Sequence, residues 1–563
     1  MLAAGTKMWS LLSLVFAIHL ALWSGKTLAS SSPTNLPTIM QAGQLAPNTT
    51  VANSYGITPV SLASDGTYYV VLQAGEISFR ASIDTGSSDF WLVSTACTTG
   101  TCSAVPGYPL EYDSPTFVSV NNNATNFTVS YADGTGAFGF VAREAVEVSN
   151  VTVSGQAFGL VTNSNVTLQD KVSGVLGLGF PRLSQIYATN ANATPFMASL
   201  AEQGILDYPI FGLSLTRNST GTLALGAVDV SIVQDISEIV WNEVVPFSPI
   251  GAKSNTSGYF YWAIHMTSFA VNDSDLTPIP TYPGPTDNSS IALLDVGTSG
   301  LYGPYQDVTR LYALFPDSRL VDSSGQWAIP CDSSATMSFS FGPGNRFVLQ
   351  PSDYIIGPAE GNPALCLSWP RALPPSADGV DWQLGTPFLR TVYSVWSYGI
   401  DYKEPPMIGL YPRSNASAAV ESPAFVASFL SAESLTVPTT LPNYLLSTPT
   451  FSTPPYAFNT SVPATFGEVV PSELATSTYS PILGTPAAEA TALPKVSDIY
   501  TMIITDAKGD IMTSTYHLSE PSVALGLPPG WSGSPQTLHT PRLGLLATVL
   551  AIIWTGAWIL WLP

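Results

Sequence analysis

Two short stretches deliver an aspartate from an apolar run into a turn of small residues. The first is Ser82-Ile83-Asp84-Thr85-Gly86-Ser87-Ser88-Asp89-Phe90-Trp91, and the second is Leu293-Leu294-Asp295-Val296-Gly297-Thr298-Ser299-Gly300. A lone Asp-x-Gly-Ser/Thr is a common turn, because Asp and Gly both favour turns. Here each copy is followed by an apolar pair ending in glycine. Val175-Leu176-Gly177 comes after the first and Gln383-Leu384-Gly385 after the second, at nearly equal chain separations. The chain therefore reads as two copies of one unit, each presenting one carboxylate. Two carboxylates within hydrogen-bonding distance cannot both ionise, so one pKa rises and the pair shares a proton. The ionised member can take a proton from water, while the protonated member donates to a carbonyl oxygen under attack. That chemistry needs neither a metal nor a cofactor. The glycine after each aspartate admits close backbone approach. The hydroxyls of Thr85, Ser87, Thr298 and Ser299 can orient the carboxylates.

The elements around these turns are strands. From about residue 65 to Pro412, short runs rich in Val, Ile, Phe, Tyr and Thr alternate with Gly, Asn and Asp turns, the texture of an all-β (mainly β) chain. Helical patterns are few, and Thr194–Gln203 and Pro304–Leu314 are the best of them. The 563 residues carry 18 Lys+Arg against 39 Asp+Glu, a net charge of −21. That balance excludes nucleic acid as a partner, since phosphate binding needs a basic patch. Only four histidines are present, which argues against a multi-histidine metal site. The nucleophile elbow, the Walker loop and the Rossmann fingerprint are missing.

The two ends read as targeting signals. Residues 1–29 hold an apolar run behind Lys7 and small residues near Ala29, the pattern of a cleaved signal peptide. Residues 532–563 combine small residues, a polar spacer and an uncharged apolar tail, the pattern of a GPI-anchor signal with attachment at Ser532. The alternative for the tail is a single C-terminal transmembrane helix. Both signals imply an oxidising compartment. Four cysteines allow three pairings, and the sequence-local pairs Cys97–Cys102 and Cys331–Cys366 are the simplest. Twelve Asn-x-Ser/Thr sequons suit a secreted glycoprotein at the cell surface. Residues 30–64 read as a short propeptide or extension. Residues 65–240 and 241–412 form the N-terminal and C-terminal β lobes. Residues 413–531 read as a Ser/Thr/Pro-rich stalk, interrupted at 501–516 by a hairpin-like pattern.

The segment from about 65 to 412 resembles the pepsin-like aspartic peptidases (family A1). The resemblance rests on the Asp84–Trp91 block, on LLDVGTSGLYGP at 293–304 and on Tyr131-Ala132-Asp133-Gly134-Thr135-Gly136. It rests also on VSGVLGLGF at 172–180, on WQLGTPFLRTVYSVW at 382–396 and on Tyr261-Trp262. It implies a bilobal pepsin-like acid protease fold, two related β lobes with the cleft between them. It implies that Asp84 and Asp295 are the catalytic dyad, supported by Thr85, Gly86, Ser87, Gly297, Thr298 and Ser299. Tyr131, Asp133 and Gly134 would form the flap, with the Tyr131 hydroxyl bonded to Trp91. Trp91, Tyr261, Gly297 and Thr298 would line the substrate site. Cys97, Cys102, Cys331 and Cys366 stand where the family has disulfides. The expected protein is a monomeric endopeptidase without cofactors, cutting polypeptide substrates at acidic pH. With its stalk and lipid-anchored tail it is similar to the yapsin-like members of fungi. The rival expectation is a catalytically silent surface glycoprotein with a binding or cell-wall role.

Three departures from the family pattern stand out. Val296 replaces a Thr or Ser whose hydroxyl normally helps brace the two active loops, so a looser dyad is expected. Ser173 replaces an Asp, with a small expected effect. Residues 30–79 hold no Lys or Arg, so the family's usual propeptide lysine between the aspartates has no counterpart there.

Overall fold

The structure, a computed structural model, describes residues 55–531 apart from 190–192, 218–219, 248–257, 285, 344–345, 401–402, 414–418, 434–435, 440, 443, 457–478, 484–491 and 506–510. The leader 1–29, most of the extension and the tail with Ser532 lie outside the described residues. No described helix is long and apolar enough to cross a membrane.

Strands dominate. In the N-terminal half these include β1 (Gly56–Leu62), β2 (Tyr68–Ala74), β3 (Ile77–Asp84), β4 (Phe90–Val93), β5 (Asn126–Ser130), β6 (Gly136–Val148), β7 (Val151–Ser164), β8 (Val172–Gly177), β9 (Ile210–Ser214) and β10 (Gly221–Leu225). The C-terminal half contains β11 (Val240–Glu243), β12 (Ala263–Met266), β13 (Ser290–Leu294), β14 (Leu301–Pro304), β15 (Trp382–Leu384), β16 (Val392–Ser397) and β17 (Met407–Pro412). Aromatic and β-branched residues explain them. β2 reads YYVVLQA, and β3, ISFRASID, alternates buried with half-buried positions along its length. The two expected helices form as α1 (Phe196–Glu202) and α2 (Tyr305–Tyr312).

One continuous sheet follows the order β11-β17-β16-β9-β10-β1-β2-β3-β8-β4-β7-β6. Its first three strands come from the C-terminal half, so the two halves share a sheet. A separate sheet, β12-β13-β15-β14 followed by Arg371–Leu373, carries the second aspartate. The two aspartate-bearing strands have the same surroundings. β3 pairs parallel with β8, and β8 pairs antiparallel with β4. β13 pairs parallel with β15, and β15 pairs antiparallel with β14. The duplication read from the motifs is therefore a duplication of local topology.

Two boundaries move. Residues 56–62 were expected in the N-terminal extension, but they form β1, paired with β10 on one side and β2 on the other. Thr58, Pro59 and Ser61 hide the strand by composition, although Ile57 and Val60 feed the core. The described parts of 413–531 do not stand away from the body as a stalk. Helix α3 (Pro423–Glu433) buries Val426 and Leu430 in the main core, and Leu441 packs with Val321, Ala328 and Ala359. Tyr282 donates its hydroxyl to Pro454 O at 2.8 Å. Further along, Tyr479, Leu483 and Leu493 enter the main core. The N–H groups of Ile482 and Leu483 donate to Glu404 Oε2 at 2.8 and 2.6 Å. Lys495–Val496 pairs with Val228–Asp229. Glu520 then meets Arg80 at 2.5 Å and accepts from Ser61 and Tyr69. Sparse, irregularly spaced apolar residues dock this strap, where average composition suggested a solvated tract. Strands β18 (Ile499–Thr505) and β19 (Ile511–His517) pair with each other.

An aromatic cluster lies where the halves meet. Phe180 and Trp262 are 4.2 Å apart between ring centroids, and Trp262 is 5.0 Å from Tyr398 and 5.3 Å from Trp396. Both disulfides are the sequence-local pairs, Cys97–Cys102 and Cys331–Cys366.

Candidate active site

The first aspartate closes β3. Its backbone is held by the aromatic cluster through one residue. Leu178 N–H donates to Asp84 O at 2.7 Å. Leu178 O in turn accepts from Trp262 Nε1 at 2.9 Å and from the Tyr398 hydroxyl at 2.7 Å. The second aspartate follows β13, with its N–H on Leu384 O at 3.1 Å.

The two carboxylates face each other across the matched turns. A Cβ added to Gly86 would stand 2.9 Å from Asp295 Oδ2, and one added to Gly297 would collide with Asp84 Oδ1. Each glycine thus leaves the space that the opposite carboxylate occupies, which is why no larger residue fits there. Asp84 accepts from Gly86 N–H at 2.8 Å and from Ser87 Oγ at 2.5 Å. Asp295 accepts from Gly297 N–H at 3.0 Å and from Thr298 Oγ1 at 2.6 Å. Burial, and then the charge of Asp295, push the Asp84 carboxyl up to about 7. Asp84 therefore keeps its proton below neutral pH.

Thr85 reaches across to the other half. Its buried hydroxyl accepts from Val296 N–H at 2.9 Å and lies 3.4 Å from Leu294 O and from Asp295 Oδ1. The fully buried Val296 has no hydroxyl to return the contact. The brace expected from Thr85 exists, and it is one-sided.

Tyr131 opens the turn between β5 and β6. Gly134 N–H bonds to Tyr131 O at 3.0 Å and Tyr131 N–H to Thr135 O at 2.8 Å. Gly134 has φ +84°, a conformation that favours glycine. The tip, Ala132 to Gly134, is exposed. The Tyr131 hydroxyl accepts from Trp91 Nε1 at 2.8 Å, as expected, and Ser87 is within its hydrogen-bonding reach. Burial, reinforced by the charge of Asp84, raises the Tyr131 phenol, so it stays protonated. Asp133 Oδ1 accepts from Thr135 N–H and Oγ1 at 2.8 and 2.7 Å and so shapes the turn. Tyr261 is half-buried and edge-on to Phe247 and Phe260.

Ser299 was expected to orient a carboxylate. It is exposed and bonds to neither, because the turn aims Thr298 inward and the next residue outward. Asp89, within the first motif, accepts from Ser184 Oγ at 2.5 Å and Gln185 N–H at 2.8 Å, away from the dyad. One residue was missed. Gln383 Nε2 lies 2.6 Å from Thr298 Oγ1 and 3.2 Å from Asp295 Oδ2. Its signal was present, a polar residue in a strand whose matching position in the first copy is Val175. Among the described residues no cluster of His, Cys, Asp and Glu could hold a metal ion.

Two β units of matched topology, each delivering one aspartate, together with a hairpin that carries Tyr131, are the layout of the pepsin type of hydrolase. The match to known sequences agrees. The family described as eukaryotic aspartyl protease covers residues 67–402, and the chain belongs to it. It is 30% identical to an aspartic protease of Phaffia rhodozyma over 58% of this chain and 72% of that protein. It is 28% identical to the aspartic-type endopeptidase ctsD of Aspergillus fumigatus, over 62% of this chain and 66% of the relative. It is 27% identical to chicken (Gallus gallus) cathepsin D, over 59% and 78% respectively. The chain is an aspartic-type endopeptidase with polypeptide substrates.

Proposed function

We propose that Asp84 and Asp295 are the catalytic dyad of an acid-active endopeptidase held at the cell surface. The observation that carries this reading is the reciprocal fit of each carboxylate into the space beside the other unit's glycine. A water between the carboxylates loses a proton to the ionised member and attacks the peptide carbonyl carbon. The protonated member donates to the carbonyl oxygen. The tetrahedral species then collapses, with a proton passing to the leaving nitrogen. Nothing covalent forms on the protein. Below about pH 7 the pair keeps its one proton, which sets activity on the acid side of neutrality. Thr85, Gly86, Ser87, Gly297 and Thr298 hold the dyad, while Ser299 is left outside it. Tyr131, Asp133 and Gly134 close over the substrate, with Trp91 and Tyr261 lining the cleft. The apolar walls favour hydrophobic side chains beside the scissile bond. An exposed Asp133, with Oδ2 free of hydrogen bonds among the described residues, also tolerates Lys or Arg by charge pairing.

The leader, sequons and disulfides support passage through the secretory pathway. The C-terminal pattern supports a lipid anchor at Ser532 and, with it, the yapsin-like subtype. A single chain supplying both carboxylates supports a monomeric enzyme.

The test is cleavage of a quenched peptide pool by the full chain from pH 3 to 7, with Asp84→Asn and a statine-containing inhibitor as controls. Acid-dependent cleavage abolished in both controls is the expected result. Folded protein that cuts nothing, even after acid activation, refutes the reading in favour of a binding glycoprotein. Release of the surface protein by a phosphatidylinositol-specific phospholipase tests the anchor, and retention points to a transmembrane tail.

A further inference from the structure

The two copies of the active unit differ at one position beside the dyad. In the first copy Val175 pairs with Ser82, two residues before Asp84, and with Trp91. In the second copy Gln383 pairs with Leu293, two residues before Asp295, and with Tyr302. The register therefore makes Val175 and Gln383 counterparts. Val175 packs among apolar residues with Trp91 and Tyr131 beside it. Gln383 instead carries an amide to the second carboxylate.

The donor directions are fixed by the partners. The Thr298 hydroxyl has one hydrogen, and it goes to Asp295 Oδ2 at 2.6 Å. Toward Gln383 the same hydroxyl is therefore an acceptor, and so is a carboxylate oxygen. The amide nitrogen must face both, with one N–H to Thr298 Oγ1 at 2.6 Å and the other to Asp295 Oδ2 at 3.2 Å. The result is two linked donors aimed at one carboxylate oxygen. Among the described residues Asp84 has no matching direct donor. Its second oxygen takes Ser87 Oγ, behind which stands Tyr131 on the exposed hairpin. Gln383 sits on a central strand, between β13 and β14.

We propose that Gln383 is a positioning residue for the dyad, donating to Asp295 so that this carboxylate carries the negative charge and Asp84 the proton. The proposal rests on the dyad reading above. Hydrogen bonds to the charged form of a carboxylate favour that form, and an amide donating to an ionised oxygen makes one of the stronger types. The titratable group facing Asp295 is Asp84 from β3. Tyr131 from the hairpin feels the charges of Asp84 and of Asp89, at the head of β4. A buried Asp84 pushed toward neutrality is consistent with the proton resting there. The consequence is a division of labour, with Asp295 accepting the proton of the attacking water and Asp84 serving as the acid.

The experiment compares pH profiles of kcat and kcat/KM for the full chain and for Gln383→Met, which keeps the side-chain length and removes the donor. Losing a donor to the ionised carboxylate raises the lower apparent pKa of the pair. The acid limb is expected to move up by about 0.5–1 pH unit, so that on its steep part the variant keeps about a third to a tenth of wild-type activity. The neutral limb and KM change little. Gln383→Val, the residue of the first copy, should shift the same limb, and it stands in if the methionine variant fails to fold. An acid limb that coincides with wild type overturns the proposal. So does a loss equal at every pH, the mark of a purely structural role. Inactive wild-type protein would sink the dyad reading and this proposal with it, whereas active wild type with an unmoved limb sinks this proposal alone.

Discussion

Thr85→Val removes the one hydroxyl that joins the two active loops. The buried Val296 N–H then loses its acceptor at 2.9 Å. A buried donor left unpaired costs about 1–3 kcal/mol. Thr85 is fully buried and Val has nearly its shape, so no cavity term adds to this. Unfolding entropy is about 2.1 cal/mol/K per residue, or roughly 0.7 kcal/mol/K for a body of about 350 residues. A loss of about 2 kcal/mol then lowers Tm by about 3 °C. The loops also drift apart, and small misplacements of reacting groups cost about ten- to a hundredfold in rate. Val296→Thr runs the other way. It supplies the missing hydroxyl, adds about 0.5–1.5 kcal/mol if the bond forms, and lifts Tm by about 1–2 °C. Thermal unfolding of both variants beside their kcat at the acid optimum is the assay. If Thr85→Val melts within about 1 °C of wild type and Val296→Thr is equally neutral, the brace does not hold the loops and the reasoning fails.

Stability should fall as pH rises from about 4 to 7. Burial chiefly pushes Asp84 up to about 7, and Asp89 and Asp307 up to about 6, from an ordinary 3.8. The folded state binds more protons than the unfolded state in that window, so ionisation favours unfolding. The lowered carboxyls of Asp170 and Asp235 act the other way, but only as pH falls below about 4. A urea midpoint higher at pH 7 than at pH 4.5 would contradict this balance. Tyr131→Phe deletes the acceptor for Trp91 Nε1 while keeping the ring. It leaves the buried Trp91 N–H unpaired, so it should lower Tm by about 1–4 °C and kcat/KM about tenfold; equal activity would separate the hairpin from catalysis. Ending the chain at Pro412 strips Val426, Leu430, Tyr479, Leu483 and Leu493 from the core. Each contributes about 1.5–3 kcal/mol of burial, so the truncated protein should bind a hydrophobic dye and unfold earlier. A truncated chain with the wild-type midpoint would show the strap to be passive.

The sequence exposed the chemistry better than the chain's edges. Asp84 and Asp295 were legible because turn residues, apolar strands and a repeat coincide, and chance rarely supplies all three. The two helices and both disulfides followed from local pattern. β1 was not legible, because Thr58, Pro59 and Ser61 dilute Ile57 and Val60, and its longer pairing, with β10, lies far along the chain. The strap failed for a related reason. Its contacts come one residue at a time, with Glu421 on Ser352, Tyr479 on Leu206 O and Glu520 on Arg80, and no periodicity marks them. Gln383 already stood opposite Val175 in the two glycine-ended blocks, but only the structure brings its amide onto Asp295 and Thr298. Ser299 shows the converse limit. Its type suits the site, and its place in the turn takes it away.

The strap also decides how force enters the molecule. Its later stretch grips the first strands of the N-terminal half, where Glu520 meets Arg80, Gly526 N–H bonds to Ser78 O, and Trp531 lies edge-on to Tyr112. A pull applied beyond Trp531 therefore enters at β2, β3 and the loop after β4, not at β17, where the peptidase segment ends. The strand that receives this tension is the one that ends in Asp84. Tension on this stretch reaches the Asp84 turn before the Asp295 turn, so a copy pulled through Trp531 and a free copy need not cut at the same rate.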